Sequence, residues 1–428
     1  MRRTSPGPRT IGLVLSAVIT LVGCAPSARQ APSAALTTSQ VAPPSPSLAA
    51  SAEPPASPSQ SLLHLAASVG GDWTRLPDDP ALHGGEVNAI VAGAPGLVAV
   101  GCATASEECL GPAAWTSADG HRWAAGPPVP GARSEAMLAV TGAGSGFIAV
   151  GTGGVWRSPD GQSWTRVATP ATPGFLTELR GVTAWRDGYV AVGDEVNSVT
   201  NRAVVWTSAD GRRWTKAPSS PGFEGNTGLR LIIAGGPGLI ASDEKFPSAT
   251  MWSSTDGRHW RQAQQLPSVA AVQQLLATRD GYLAVGVGVR AGASAATVAL
   301  AAYRPGGPAS RRWASDLSGA IAVAYGSPDG LHWTAQEIQG GDDAWLTGVA
   351  ALPDSLVAVG YVQAGGVAVW RSDGAGSWSR IADPFALHPD GAAGDGRMRG
   401  VLAYRDGLVA WGYGLADPAV WVSPPAIP

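Results

Sequence analysis

Three arginines occupy equivalent positions in different copies of a repeated sequence unit. Arg180, Arg230 and Arg399 each fall near the start of an apolar run, and a second apolar run that opens on Gly follows. A guanidinium presents donors in a fixed fork that binds a carboxylate or sulfate through two parallel hydrogen bonds. If these copies converge, the chemistry that they offer is the binding of an anion.

The same register extends to every unit when the copies are aligned on that Gly. The aligned positions are Asn88, Leu138, Arg180, Arg230, Gln273, Thr347 and Arg399. The residues two positions earlier share a side of the strand because side chains alternate; they are Glu86, Ala136, Glu178, Gly228, Ala271, Trp345 and Arg397. We expect both sets to line one opening of the fold. The candidate ligand-binding residues are Glu86, Asn88, Glu178, Arg180, Arg230, Trp345, Arg397 and Arg399.

Two interpretations of this opening remain. The arginines bind an anionic ligand, or Arg180 pairs with Glu178 and its neighbours as the lining of a hydrated tunnel. Glycoside hydrolysis would also need two placed carboxylates, or a Tyr-Glu pair, within reach of the anion. Acids that we expect near the opening are Asp194, Glu195, Asp243, Glu244, Asp342 and Asp343. The sequence places no pair of them, so the catalytic residues are unassigned.

The repeated units are marked by a heptapeptide of the form Ser-x-Asp-Gly-x-x-Trp. Its aspartates, the last of them in a looser copy, are Asp119, Asp160, Asp210, Asp256, Asp329 and Asp373. The Asp side chain accepts backbone N–H groups, and the Gly takes the positive φ of a tight turn between two strands. We assign these aspartates a structural role and expect each Trp to pack against the next unit. His121, His259 and His332 lie in separate copies, which argues against a shared metal ion.

Each unit holds four short strands, here strands a to d, in roughly 40 to 50 residues, as a β-propeller blade does. We predict an all-β fold of seven four-stranded antiparallel blades over 86–126, 134–168, 177–217, 227–263, 269–338, 344–382 and 397–423. Six or eight blades are the alternatives, because 286–319 is an insertion in blade five that could form a hairpin or a degenerate half-blade. Blade seven ends after strand c, and 71–76 with its Trp73 supplies strand d. The chain ends then close the ring and leave no open edge.

The first residues are typical of an export signal. Arg2, Arg3 and Arg9 precede an apolar segment over 11–22, which is too short for a mature membrane span. The sequence Leu21-Val22-Gly23-Cys24 resembles the lipobox of bacterial lipoproteins, in which the Cys becomes the lipidated first residue. The alternatives are a plain secretory peptide and an uncleaved anchor. We therefore expect a chain anchored to the cell membrane by lipid, facing the periplasm or the cell exterior.

Composition divides the chain and limits its partners. Residues 1–23 are the signal, 24–61 are the lipidated Cys and an Ala/Pro/Ser linker that we expect to be disordered, and 62–428 are the propeller. A formal charge of −3 without a basic run argues against nucleic acid as a partner.

Outside the cytoplasm, Cys102 and Cys109 are expected to form a disulfide; two free thiols or half of a metal site are the alternatives.

The repeated turns resemble the Asp-box, or BNR, repeats of sialidases and of many non-enzymatic propellers. The wider unit, such as Leu179-Arg180-Gly181-Val182 followed by 188–193 and the turn, also resembles the propellers of photosystem-assembly factors and related bacterial proteins. Sialidases carry an Arg-Ile-Pro motif that is missing here, so no sialidase catalytic residue is carried over.

We expect a monomeric binding or scaffolding propeller for a protein or glycan, with a sialidase-like hydrolase as the rival and a purely structural surface protein as a third possibility. No cofactor and no metal site are predicted, although Asp390 and Asp395 make the loop 383–397 a weak Ca²⁺ candidate.

Overall fold

The computed structural model describes residues 73–423 of the chain, apart from short gaps. The gaps are 95, 106–107, 145, 224–227, 244–248, 267–268, 294–317, 364–365, 373, 375, 382–395 and 415–416. Within the described part, no helix is long and apolar enough to cross a bilayer. The predicted signal, linker and lipidation site at Cys24 lie outside the described residues, as do Asp373 and the Ca²⁺ candidate loop with Asp390 and Asp395.

The strands form seven sheets that follow one another along the chain, and the four strands of each blade pair antiparallel. Blade one consists of Gly85–Gly93, Gly96–Ala105, Glu108–Ser117 and Ala124–Ala125; blade two of Met137–Ala143, Gly146–Gly151, Gly154–Ser158 and Thr165–Val167; blade three of Leu176–Trp185, Gly188–Val196, Asn201–Ser208 and Thr215–Lys216; blade four of Leu229–Gly235, Gly238–Asp243, Thr250–Ser254 and Arg261–Gln265.

The remaining blades follow the same order. Blade five consists of Val269–Thr278, Gly281–Val289, Ala320–Ser327 and Thr334–Ala335; blade six of Ala344–Ala351, Leu356–Val362, Gly366–Ser372 and Ser377–Arg380; blade seven of Arg397–Tyr404, Gly407–Tyr413 and Pro418–Ser423, with Thr74–Arg75 as its fourth strand. The molecule is a seven-bladed β-propeller, as the sequence predicts.

The predicted closure of the ring by the two chain ends is confirmed. Thr74 pairs with Val422 and Arg75 with Trp421 in an antiparallel ladder, so the N-terminal strand becomes strand d of blade seven. Trp73 is buried in the same cluster as Trp421. This N-terminal segment therefore supplies the tryptophan that the turn motif provides in the other blades.

Seven hydrophobic clusters hold the ring together, and each joins two adjacent blades. In the cluster between blades one and two, Trp156 and Trp164 of blade two pack on Val98 and Val100 of blade one. The cluster between blades seven and one closes the circle in the same way. Our expectation that the turn Trp packs against the next unit is wrong, because it packs against the preceding one.

Blade five ends earlier than predicted. Its strand d stops at Ala335, and Glu337–Ile338 pairs in parallel with strand d of blade six. Blade six therefore has five strands. The insertion of blade five begins after Val289, and the hairpin or half-blade expected within it falls on 294–317, outside the described residues.

Candidate functional site

The Ser-x-Asp-Gly-x-x-Trp turns that the structure describes in full lie at one end of the ring, because each joins strand c to strand d. In the turn of blade two, Asp160 Oδ1 accepts the backbone N–H groups of Gln162 at 2.9 Å and Ser163 at 2.8 Å, and Ser158 Oγ accepts that of Gly161 at 2.8 Å. The turns of Asp119, Asp210, Asp256 and Asp329 repeat these bonds. The backbone donors lower the pKa of Asp160 and of its counterparts.

The turn glycines also bring adjacent blades into contact. Gly211 has a φ of 67°, which L side chains rarely adopt, and a Cβ there would lie 2.6 Å from Ile148 Cδ1 of the preceding blade. Gly257 stands in the same relation to Val190, at 2.9 Å. Since each Asp is engaged by its own turn, this end of the ring has a structural role.

The opposite end of the ring carries a feature that aligning the repeated units of the sequence does not indicate. Strand a of every blade contains a β-bulge, and the extra residue is the aligned position in each: Asn88, Leu138, Arg180, Arg230, Gln273, Thr347 and Arg399. A bulge leaves one residue unpaired and redirects its side chain. The register that the sequence predicts is therefore a ring of seven bulges at one opening.

A glycine on strand b accommodates each bulge in six of the blades. At Gly193, for example, a Cβ would overlap the backbone carbonyl of Glu178. A Cβ would likewise overlap a backbone carbonyl oxygen just before the bulge of the same blade at Gly101, Gly151, Gly286, Gly360 and Gly412. The Gly near the end of the apolar run of strand b thus marks the bulge in the sequence of these six blades. Blade four has Asp243 at this place, paired with Leu229.

Arg180 is held by acids of its own blade. Its Nε lies 3.1 Å from Asp194 Oδ1, and its Nη2 lies 3.2 Å from Glu178 Oε2. Only 13% of the Arg180 side chain and 4% of the Asp194 side chain are exposed. Two carboxylates already accept from this guanidinium, so an incoming anion would have to displace them.

Arg399 joins blade seven to blade one. Its Nη1 lies 3.1 Å from Glu86 Oε1 and 3.0 Å from the hydroxyl of Tyr413. Burial alone would lower the pKa of Arg399, but its electrostatic interactions and hydrogen bonds with Tyr413 and Glu86 raise it above its usual value. Burial acts in the opposite direction on Tyr413 and raises the pKa of its hydroxyl. Glu86 is 2% exposed, so this ion pair belongs to the interior of the ring closure.

The other bulge residues also bond across blade boundaries. Arg230 Nη2 lies 3.1 Å from Gln273 Oε1 of the next blade. The amide of Asn88 donates to the carbonyl of Met137 at 2.8 Å, and the Thr347 hydroxyl donates to that of Met398 at 2.8 Å. Each of the three arginines predicted to bind an anion, Arg180, Arg230 and Arg399, thus has a partner within the protein. The contacts correspond to the tunnel-lining interpretation.

Trp345 and Arg397 form part of a buried aromatic group. Trp345 is completely buried, and its ring lies 5.5 Å from that of Tyr361. The Arg397 guanidinium lies 4.8 Å from the centre of the Tyr361 ring. Among the candidate residues, Trp345 is therefore part of the packed interior of blade six, and Arg397 lies over the Tyr361 ring.

On blade three, the carboxylate of Glu195 has more hydrogen-bond partners than the sequence indicates. Glu195 is fully buried, and its carboxylate accepts from Thr172 at 2.5 Å, from Arg202 at 2.8 Å and from Lys216 at 2.6 Å. Burial raises the pKa of Glu195, but these donors outweigh it and leave the pKa below its usual value. The structure thus buries both of the adjacent acids Asp194 and Glu195. The partners come from strands c and d and from the preceding loop, so no local sequence pattern reveals them.

Other acids among the described residues also have local partners, whereas the predicted Glu244 lies outside the described residues. Asp343 and Asp342 lie 3.0 and 3.1 Å from Arg290 Nη2. His259 and His332 each pair with the Asp of their own turn, at 2.6 and 2.8 Å. Within the described part of the chain, no group of three or more His, Cys, Asp and Glu side chains could hold a metal ion.

Cys102 and Cys109 are neighbours on strands b and c of blade one. Both are thiols here, with Cys102 buried and Cys109 half-buried. A hydrogen bond between their side chains raises the pKa of Cys102 and lowers that of Cys109. The sulfur of Cys109 also lies 3.1 Å from the carbonyl oxygen of Glu135. The disulfide between them stays a prediction.

A seven-bladed propeller with a turn end and a bulge end is the class of protein that these observations define. No protein-family model matches the sequence, and no curated protein matches it. Among solved structures, the chain is similar to YCF48 bound to a D1 peptide, with a TM-score of 0.51 and 14% identity over 83% of this chain and 98% of that one. It is also similar to the WD40 domain of Neurospora crassa Pan2, with a TM-score of 0.51 and 12% identity over 83% and 97% of the two chains. At such identities the likeness extends to the fold alone.

Proposed function

We propose that this chain is a lipid-anchored propeller, displayed outside the cytoplasmic membrane, that binds a partner protein at its bulge end. The observation that carries the proposal is the set of ion pairs at that end, exemplified by Arg180 between Glu178 and Asp194. Side chains fixed in this way cost little further ordering when a partner binds. The turn end, by contrast, uses its aspartates within its own backbone.

A protein suits this end better than a glycan hydrolysed as in sialidases. Hydrolysis would need arginines free to receive a carboxylate and an acid with a raised pKa. Here the guanidinium of Arg180 is already neutralised, and donors lower the pKa of Glu195. YCF48, which has the same fold, binds a peptide. Glycan binding is the second candidate that the experiments below would detect.

The anchor is tested by metabolic labelling with a palmitate analogue in a bacterial host. We expect label on the chain and recovery of the protein in the membrane fraction, and loss of both in Cys24→Ser. Cys109→Ser is the matched control and should retain the label. Equal labelling of the Cys24→Ser variant would contradict the lipid anchor.

The binding end is tested with a photo-crosslinking amino acid placed at exposed positions of the full chain in intact cells. Bulge-end positions are His83, Val199 and Asp342, and turn-end controls of similar exposure are Arg213, His259 and His332. We expect one protein adduct from the bulge end only. Adducts of equal yield from both ends, or none together with specific signals on a glycan array, would refute the proposal.

A further inference from the structure

Cys102 and Cys109 lie on the same side of blade one as the buried carboxylate of Glu86. Glu86 is opposite Cys102 in the ladder of strands a and b, and Thr104 is opposite Cys109 in the ladder of strands b and c. Opposite residues share a face of the sheet, as do residues two apart on one strand. The register therefore puts both sulfur atoms on the face of Glu86, and a hydrogen bond joins the two thiols.

Solvent reaches the two thiols unequally. Cys102 is 2% exposed, whereas Cys109 is half-buried. The hydrogen bond from Cys102 lowers the pKa of Cys109, against the opposing effects of burial and of the Glu86 charge. The same bond, together with burial, raises the pKa of Cys102. Because the thiolate is the attacking form of a cysteine, an incoming reagent reacts first with Cys109.

A crosslink between these cysteines is not needed to hold their hairpin together. Strands b and c are paired on both sides of the cysteines, through Gly101 with Ala113 and through Ala105 with Glu108. Only residues 103–108 separate the two cysteines in the chain, and closing a short loop removes less entropy from the unfolded chain than closing a long one. Stabilisation of the fold alone therefore does not account for the pair.

The reduced pair also contacts blade two. The Cys109 thiol donates to the carbonyl oxygen of Glu135 at 3.1 Å, and the Glu135 side chain binds Arg166 at 2.8 Å. Glu135 lies just before strand a of blade two. A disulfide has no S–H group, so oxidation removes the hydrogen bond to Glu135. The oxidation state of the pair therefore changes a contact between blades one and two.

We infer that Cys102 and Cys109 form a site for reversible thiol–disulfide exchange with a small disulfide, in which Cys109 is the entry thiol and Cys102 is the resolving thiol. A half-buried sulfur admits a small molecule more readily than it admits the disulfide of a folded protein. The site differs from a structural crosslink, which would form once and stay closed. The inference does not rest on the proposed function.

The exchange needs no reagent other than the disulfide, written RSSR. The Cys109 thiolate attacks one sulfur of RSSR, so that the S–S bond of RSSR breaks, a bond from Cys109 to SR forms, and RS⁻ leaves and takes up the proton that Cys109 lost. Cys102 then gives up its proton and attacks Sγ of Cys109, which forms the Cys102–Cys109 disulfide and releases a second RSH. Two electrons pass from the protein dithiol to RSSR, and an excess of RSH reverses both steps.

The test equilibrates the full chain in detergent with mixtures of reduced and oxidised glutathione, starting once from the dithiol and once from the disulfide. After acid quenching and alkylation, mass spectrometry of the tryptic peptide 76–122 gives the state of the pair, because this peptide contains both cysteines and excludes Cys24. The variants are Cys102→Ser and Cys109→Ser, and Cys24→Ser is the matched control.

We expect the oxidised fraction to follow the glutathione ratio and to be the same from both starting states. Cys102→Ser should keep glutathione on Cys109 as a stable mixed disulfide, Cys109→Ser should react at least about tenfold more slowly, and Cys24→Ser should behave as the wild type. A pair that glutathione never reduces would be a structural disulfide, and a pair that it never oxidises would be two unreactive thiols. Either result would overturn the inference.

The order of the two thiols can also be measured in the wild type, where no substitution can disturb folding. Brief treatment of the reduced protein with iodoacetamide should alkylate Cys109 before Cys102. Alkylation of Cys102 first would contradict the assignment of the entry thiol. A faster reaction with the disulfides of insulin than with oxidised glutathione would contradict the preference for a small disulfide.

Discussion

Arg180, Arg230 and Arg399 share a register position, and each has a different kind of partner. Arg180 lies between two acids of its own blade, Arg230 contacts an amide of the next blade, and Arg399 forms an interior ion pair with Glu86. The position fixes where the side chain begins, while the neighbouring blades decide what it contacts. The residue scale therefore distinguishes structural arginines from candidate binding residues.

Loss of one partner in the Glu86 pair should destabilise the protein strongly. Arg399→Ala leaves Glu86 as a buried charge without its counterion, which typically costs about 3 to 5 kcal/mol. The double variant Glu86→Gln, Arg399→Met should recover much of that free energy of unfolding, because no charge is left buried. Urea denaturation of the single and double variants measures both effects.

Arg213→Ala is the control, since its pair with Asp210 spans 3.7 Å and is exposed to water. We expect less than about 1 kcal/mol from its loss. A cost for Arg399→Ala as small as this would show that the interior pair does not stabilise the ring closure.

The repeated turn makes stability depend on acid pH at the scale of one structural element. In the turns of Asp256 and Asp329 the folded pKa of the carboxyl lies below its unfolded value. Burial opposes this shift at Asp256, but the bonds from His259 and the backbone outweigh it. Such a group contributes stability that is complete above the unfolded pKa of about 3.9 and is lost as the pH falls through the folded pKa.

We therefore predict that the free energy of unfolding falls below about pH 4 in the wild type and that Asp329→Asn flattens part of this fall. The amide oxygen of Asn can still accept the N–H groups of Leu331 and His332 but does not titrate. Denaturant curves between neutral and acid pH would measure the change of slope. An unchanged acid slope in Asp329→Asn would contradict the assignment.

The bulge is the second repeated element, and its glycine is open to a direct test. Gly193→Ala forces a Cβ into the carbonyl of Glu178, and overpacking of this kind costs about 1 to 3 kcal/mol or more. Gly236→Ala, where the space around a Cβ is open, should change stability by less than about 0.5 kcal/mol. Equal stability of the two variants in thermal unfolding would disprove the bulge role of Gly193.

These elements show which features of the fold can be predicted from the sequence. The strands, turns and blades follow from local patterns, because Asp and Gly fix the turn and tryptophans recur at one spacing. The bulge could have been inferred from the glycine that recurs at one place on strand b in six of the blades, yet a regular strand explains that pattern equally well. The partners of Glu195 come from three separate segments, and alternation within one strand contains no information about them.

At the scale of the whole molecule, the ring depends on the contact between its first and last strands. Trp73 is 3% exposed within the cluster that joins blades six and seven. We predict that Trp73→Ala lowers the free energy of unfolding by about 3 to 5 kcal/mol and speeds hydrogen exchange in Pro418–Ser423. Thr74→Ala on the exposed side of the same strand is the control and should do neither. Exchange confined to other blades would mean that this strand does not close the ring.

The strand that closes the ring can pair only late in the synthesis of the chain. Trp73 leaves the ribosome long before Trp421, and synthesis of the chain between them at roughly 5 to 20 residues per second takes on the order of 20 to 70 s. During that interval the first tryptophan of the fold has no blade to enter. Its partner strand is Pro418–Ser423, so the chain closes the ring only after that strand has been synthesised.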